Sequence, residues 1–127
     1  MSVKYTLQEK GNPQNPAAPK KWYAIAKNTG EVTLKRLSRE IAESYTNVTD
    51  TEVLVVLNVL AKALNRHLAN GEIVRLGDFG SFKISMGSAG AEAPEKFNPS
   101  MIRNPKVIFR PGIDLKEMLQ NLNFEKW

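Results

Sequence analysis

The sequence contains no cysteine and only one histidine, His67. Disulfides, thiol nucleophiles and cysteine-bound metals are therefore excluded, and a lone histidine without neighbouring carboxylates favours a surface or interface role over catalysis. No segment approaches the roughly 18 apolar residues of a membrane span, the N-terminus lacks the apolar run of a signal peptide, and no phosphate-binding Gly-Lys-Ser/Thr loop occurs. We therefore expect no enzyme activity, no metal, no cofactor, no small-molecule substrate and no membrane association.

Positive charge is present in excess and lies at the two ends of the chain. The 127 residues carry a net charge of +5, which corresponds to a pI of about 9.6. Residues 1–30 contain five lysines and one glutamate, residues 31–70 are balanced, and residues 103–127 contain five basic and three acidic side chains. A basic protein attracts polyanions, of which nucleic acid is the most abundant in cells.

The first 30 residues predict a β-hairpin with a long loop. Val3, Tyr5 and Leu7 alternate with polar residues, residues 11–19 contain three prolines, and residues 21–27 form a second short strand-like segment. Trp22 and Tyr23 could stack on nucleic-acid bases, although packing within a short strand is the interpretation that their position favours.

Two helices are predicted next. Residues 34–45 place Leu34, Leu37 and Ile41 on one face, and residues 49–52 match a capping box that begins a longer helix ending near residues 70–71. The apolar stripe of this second helix is too broad for burial on one side, which suggests a subunit interface.

Strands are predicted over residues 72–76, 79–85 and 101–110, with a turn at residues 77–78. Residues 86–100 show no helical period, and a final helix is predicted over residues 114–122. The order ββ, αα, βββα indicates an α+β fold with a helical hairpin and a three-stranded antiparallel sheet.

Three features in this order resemble the HU and integration-host-factor family of bacterial histone-like DNA-binding proteins. They are the run GEIVRLGDFGSFKI at residues 71–84, the later Phe-Arg-Pro-Gly at 109–112 and the helix after it. Residues 1–30 are similar to the N-terminal extension of HU-related proteins of the Bacteroidetes type. The resemblance implies an HU-like domain over residues 31–127 with an extended β-ribbon arm over about 83–110. It further implies an intertwined homodimer and a cytoplasmic, nucleoid-associated location.

In that family two ribbon arms clasp the minor groove and a proline near each tip wedges between base steps, HU and its relatives being a standard example of this mode. The resemblance makes Pro94 a candidate wedge, with Pro99 as the alternative. Residues 83–102, however, carry only Lys83 and Lys96 against two glutamates. Acidic groups near phosphates reduce counterion release, so this arm departs from the basic arms of the family.

The returning strand offers stronger candidates for phosphate contacts. Lys106 and Arg110 are an even number of residues apart, so they share one strand face, opposite Val107 and Phe109. The full set of candidate DNA-binding residues is Arg75, Lys83, Pro94, Lys96, Arg103, Lys106 and Arg110. Such contacts hold phosphates without reading base sequence.

The sequence therefore predicts a homodimer that binds double-stranded DNA without strong sequence preference, as an architectural protein that bends or compacts DNA. The alternative is an HU-fold dimer with a structural or protein-interaction role and weak or no DNA binding. The neutral arm favours the alternative, whereas the basic strand favours DNA binding.

Overall fold

The computed structural model describes residues 1–45 and 47–127. In chain order its helices and strands are β1 (Val3–Lys10), β2 (Lys21–Lys27), α1 (Leu34–Ser44), α2 (Asp50–Ala69), β3 (Val74–Arg75), β4 (Gly80–Ser88), β5 (Ile102–Pro111), α3 (Ile113–Gln120) and β6 (Phe124–Lys126). They form two compact units, of which one contains Met1–Thr33 and Met118–Trp127 and the other contains Leu34–Glu117.

The first unit is a three-stranded sheet in the order β2-β1-β6. Strands β1 and β2 form the antiparallel hairpin that the alternating residues predict. The sequence did not predict β6, which pairs in parallel with β1. The loop of the hairpin is ordered locally by a bridge between Asn12 and Asn15, and the side-chain oxygen of Asn12 accepts a hydrogen bond from the Gln14 N–H at 2.9 Å.

The second unit begins with the predicted helical hairpin. The Oγ1 of Thr49 accepts the backbone N–H of Glu52 at 3.1 Å, which confirms the predicted N-cap of α2 and satisfies one free donor of its first turn. Acidic side chains occupy that first turn and basic ones the last turn, as the helix dipole favours. Along residues 1–45 and 47–127, no helix has both the length and the apolar character to cross a bilayer.

One expectation about His67 is wrong, because a carboxylate does lie beside it. The chain turns back after α2 at Gly71, whose φ is +79°, and Glu72 then comes within 3.0 Å of the His67 Nδ1. Both side chains are about half exposed. The contact therefore ties the end of the helix to the segment that follows it.

The sheet of the second unit has the order β3-β4-β5, with both pairs antiparallel. None of the three strands has its predicted bounds, and the first two differ most. Strand β3 contains only Val74–Arg75, and Phe79 belongs to the 3-10 turn Gly77–Phe79, not to the strand after it. The turn is tight because the Leu76 N–H donates to the Gly80 carbonyl at 2.8 Å, which closes the chain before β4 begins.

Two glycines allow this turn to pack against the end of β5. A Cβ atom at Gly80 would lie 2.6 Å from the Arg110 carbonyl oxygen, and one at Gly112 would lie 2.3 Å from that of Asp78. The φ of Gly80 is also +148°, a conformation that side chains disfavour. Only glycine fits at these positions, which accounts for two of the glycines in the 71–84 and 109–112 segments.

Apolar packing within the second unit is limited. The ring of Phe109 contacts those of Phe79 and Phe82 at centroid distances of 5.6 and 4.9 Å. Among the described residues, Leu68 is the only buried hydrophobic side chain. On α2, Val56 and Val59 are 66% and 57% exposed, so this part of the apolar stripe is not covered by the described residues of the chain.

Candidate nucleic-acid interface

The register of the β3-β4-β5 sheet places three polar residues in one row. Ser81 on the central strand lies opposite Arg75 on one side and opposite Arg110 on the other. Residues that pair in this way project from the same face of a sheet. Arg75 and Arg110, which are 35 positions apart in sequence, are therefore two strands apart on one surface.

The next rows add further basic residues to this face. Lys83 lies opposite Ile108, and Lys106 lies opposite Ser85. Side chains alternate between faces along a strand, so Lys106 and Arg110 share one face while Val107 and Phe109 point to the other, as their spacing predicts. The apolar face is completed on β4 by the partners of these two residues, Ile84 and Phe82.

A β-bulge brings Arg103 onto the basic face. Between the pairs Ser85–Lys106 and Gly87–Arg103, β5 advances three residues while β4 advances two. The extra residue is accommodated at Asn104, whose φ of +56° lies in the left-handed region that asparagine tolerates better than most residues. Without the bulge, Arg103 and Lys106 would project from opposite faces.

We define the basic strand face by the five basic residues that the register brings together: Arg75, Lys83, Arg103, Lys106 and Arg110. All five are exposed, and the described ion pairs do not include any of them. The three strands themselves contain no aspartate or glutamate. The face therefore presents five positive charges on a hydrogen-bonded sheet, with no carboxylate on the same strands to offset them.

A shallow cavity of about 290 Å³ at the basic strand face is lined by one further basic residue that the sequence patterns did not indicate. It lies beside the row of Arg75, Ser81 and Arg110 and is also lined by Lys116 of α3. The Lys116 N–H donates to the Gly112 carbonyl at 3.0 Å, which fixes the first turn of the helix next to the end of β5. This lysine lies at the site because the chain turns directly from β5 into α3.

The two remaining candidates lie outside this face. Pro94 and Lys96 occupy a 3-10 turn, Pro94–Lys96, within the connection between β4 and β5. The Lys96 Nζ lies 3.3 Å from the Glu92 carboxylate, and both side chains are largely exposed. A second turn, Pro99–Met101, holds Pro99, the alternative wedge residue. The structure thus brings five of the seven candidates together and leaves Pro94 and Lys96 apart from them.

Comparisons with known proteins agree on the architecture. A family model called HU-HIG, described as an HU domain fused to wHTH, Ig, or a glycine-rich motif, matches residues 1–126. A crystal structure of a candidate bacterial DNA-binding protein from Bacteroides vulgatus matches with a TM-score of 0.67 at 13% identity, over 98% of this chain and 48% of that one. The chain thus spans about half the length of that protein.

A second structure, an Anabaena HU–DNA cocrystal, matches with a TM-score of 0.49 at 21% identity, over 71% of this chain and 99% of that one. No curated protein sequence shows significant similarity to this chain.

Proposed function

The chain belongs to the HU-HIG family, and from this premise we propose that it is an architectural protein that binds double-stranded DNA through the basic strand face. The observation that carries the proposal is the convergence of five exposed basic residues from three strands without an acidic residue among them. We propose residues 31–127 as the HU-like domain, residues 1–30 as an extension of it, and the nucleoid of the cytoplasm as the location.

The proposed contacts are to phosphates. Lysine and arginine side chains that project from a sheet face neutralise backbone charge and release counterions. They carry no information about base sequence, so the proposal includes little sequence preference. Arg110 and Arg75 flank Ser81, whose hydroxyl is a further donor for a phosphate oxygen bound between the two guanidinium groups.

We assign the arm a smaller electrostatic role. The charge of Lys96 is offset by Glu92 at 3.3 Å, and the connection contains a second glutamate, Glu95. Pro94 and Pro99, at the starts of two exposed 3-10 turns, remain the candidates for a wedge between base steps. Bending by this wedge is part of the proposal, with the affinity resting on the strand face.

The proposed assembly is a homodimer. Val55, Val56 and Val59 of α2 are more than half exposed within the chain, although burying such side chains is worth about 1.5–3 kcal/mol each. An apolar cavity of about 540 Å³ lies beside them between α1 and α2, lined mainly by Ile41 and other apolar residues. A second copy presents the same unpartnered stripe, so pairing of two α2 helices covers both at once.

A mobility-shift titration with duplex DNA at about 50 and about 200 mM salt tests the proposed function, because phosphate contacts make the affinity fall steeply over this range. We expect a shift at the lower salt concentration that weakens strongly at the higher one, with similar affinities for AT-rich and GC-rich duplexes. A dimer by sedimentation with no shift at low salt would refute DNA binding and leave a structural or protein-interaction role.

A further inference from the structure

The β2-β1-β6 sheet carries two pairs of lysines that face each other across β1 and β2. Lys4 lies opposite Lys27 at one end of the hairpin, and Lys10 lies opposite Lys21 at the other. Like charges directly opposite each other in an antiparallel pair destabilise it. A group that neutralises either pair, within the protein or from a ligand, would therefore stabilise the hairpin.

The fold compensates the first pair. Lys4 forms an ion pair with Glu125 of β6, and this hydrogen bond lowers the pKa of the Glu125 carboxyl, with a smaller contribution from the Ser2 hydroxyl. The ammonium group of Lys27 lies 5.6 Å from the centroid of the Trp127 ring, which is a cation–π distance. Both lysines of this pair thus have a partner inside the protein.

The second pair has no such partner. Among the described residues, neither Lys10 nor Lys21 forms an ion pair. Lys20 precedes Lys21 in the chain, and the nearest acidic residue in sequence, Glu9, pairs with Trp22 and so projects from the opposite face. Three lysines therefore gather at this end of the hairpin, and the carboxylate on the face of Lys10 and Lys21, Glu125, lies at the other end of the sheet, where it pairs with Lys4.

The aromatic residue Tyr23 lies next to the Lys10–Lys21 pair, which has no acidic partner in the part of the chain that the structure describes. Tyr23 lies opposite Gln8, so it shares the face of Lys10 and Lys21. These three side chains line one cavity of about 520 Å³ with Pro13, Pro19 and the loop between the strands. Tyr23 is 48% exposed, so about half of this residue is accessible on the face that also carries Lys10 and Lys21.

We propose that this hairpin end is a binding site for single-stranded nucleic acid, separate from the basic strand face. Lys10 and Lys21 bind successive phosphates, and the Tyr23 ring stacks on an unpaired base held in the cavity. Positive charge combined with an exposed aromatic ring is the combination that single strands require. Duplex DNA supplies the phosphates but keeps its bases stacked on each other, so it uses the lysines without the ring.

The test is fluorescence anisotropy of labelled oligothymidine and of a labelled duplex, titrated with the full chain at several salt concentrations. Lys10→Ala with Lys21→Ala should lower the log–log salt slope for oligothymidine by about 1.4, at about 0.7 for each phosphate contact on a single strand. Lys35→Ala with Lys126→Ala removes the same charge elsewhere and should leave that slope nearly unchanged. Equal effects of the two pairs would mean that net charge alone attracts the strand, and the proposal would fall.

Tyr23 provides the second arm of the test. Loss of one stacking contact in Tyr23→Leu should weaken oligothymidine binding at least about five-fold without changing the salt slope. Tyr23→Phe keeps the ring and should bind like the wild type. If the two Tyr23 variants bind oligothymidine equally, the ring does not stack on a base and the proposal is wrong.

The basic strand face supplies the third arm. Lys106→Ala with Arg110→Ala should weaken duplex binding and leave oligothymidine binding in place. An equal loss of both would place the single strand on the strand face and refute the separate site, whereas a loss of neither would refute the proposed duplex function alone. Circular dichroism melts confirm folding, and removal of the opposed Lys10 and Lys21 charges should not lower the melting temperature.

Discussion

Replacement of both Lys106 and Arg110 by alanine should damage duplex binding far more than Lys96→Ala. Lys106 and Arg110 project from one face of β5, paired through β4 with Ser85 and Ser81. The sheet fixes their backbone, so little conformational entropy is lost when they bind phosphate. Lys96 lies in an exposed turn, where Glu92 at 3.3 Å competes with any phosphate for its charge.

The expected magnitude follows from counterion release. Two lost phosphate contacts lower the log–log salt slope by about 1.8 for each subunit in contact with DNA, at about 0.9 per contact. Over the four-fold change from about 50 to about 200 mM salt, the ratio of the variant Kd to the wild-type Kd should therefore shrink about twelve-fold. For Lys96→Ala the slope should fall by about 0.9 or less.

The assay is a fluorescence titration of one duplex across this salt range with four proteins: wild type, Lys106→Ala with Arg110→Ala, Lys96→Ala, and Lys35→Ala with Lys126→Ala as the charge-matched control. The control should reproduce the wild-type slope, because both of its lysines lie outside the sheet of the second unit. A larger loss for Lys96→Ala than for the strand pair would show that the arm, not the strand face, holds the duplex.

Three further predictions concern folding and assembly. Gly80→Ala should lower the free energy of unfolding by at least about 1–3 kcal/mol in urea titrations, because the φ of +148° is strained for alanine and its Cβ would lie 2.6 Å from a carbonyl oxygen of β5. Gly90→Ala meets no atom within 4 Å and should change stability little. Thr49→Ala should cost about 1 kcal/mol through loss of the N-cap of α2, and Thr49→Ser should restore most of it in the same titration. Val56→Glu with Val59→Glu should shift sedimentation from dimer to monomer; an unchanged dimer would mean that α2 is not the interface.

Much of the architecture could be predicted from the sequence because its determinants are local. The strand at residues 21–27 has the predicted bounds, and the start of α2 was indicated by the capping residues, with Thr49 accepting the Glu52 N–H as expected. The tight turn before β4 was indicated by its glycines, since positive φ angles depend on the residue itself.

Features that depend on distant pairing could not be predicted. Strand β6 has three residues and no alternating pattern, and it is a strand only because β1, more than a hundred residues earlier in sequence, supplies its hydrogen-bonding edge. The site shows the same limit. Lys106 and Arg110 share a face by simple parity, but Arg103 joins them only through the bulge at Asn104, and Lys116 only through the turn after β5.

The bulge at Asn104 also changes which alternate residues of β5 lie on the basic strand face. Towards Pro111 the positively charged side chains of this face occupy even-numbered positions of β5. Beyond the bulge, odd-numbered positions lie on the same face. Regular pairing through Asn104, with no residue removed, would turn Arg103 and Ile102 to the opposite faces of the sheet without altering the charge or hydrophobicity of the protein, whereas deletion of this one residue would keep Arg103 on its present face. The pairing register at one position is therefore as strong a determinant of what the arm presents to a partner as the identity of its residues.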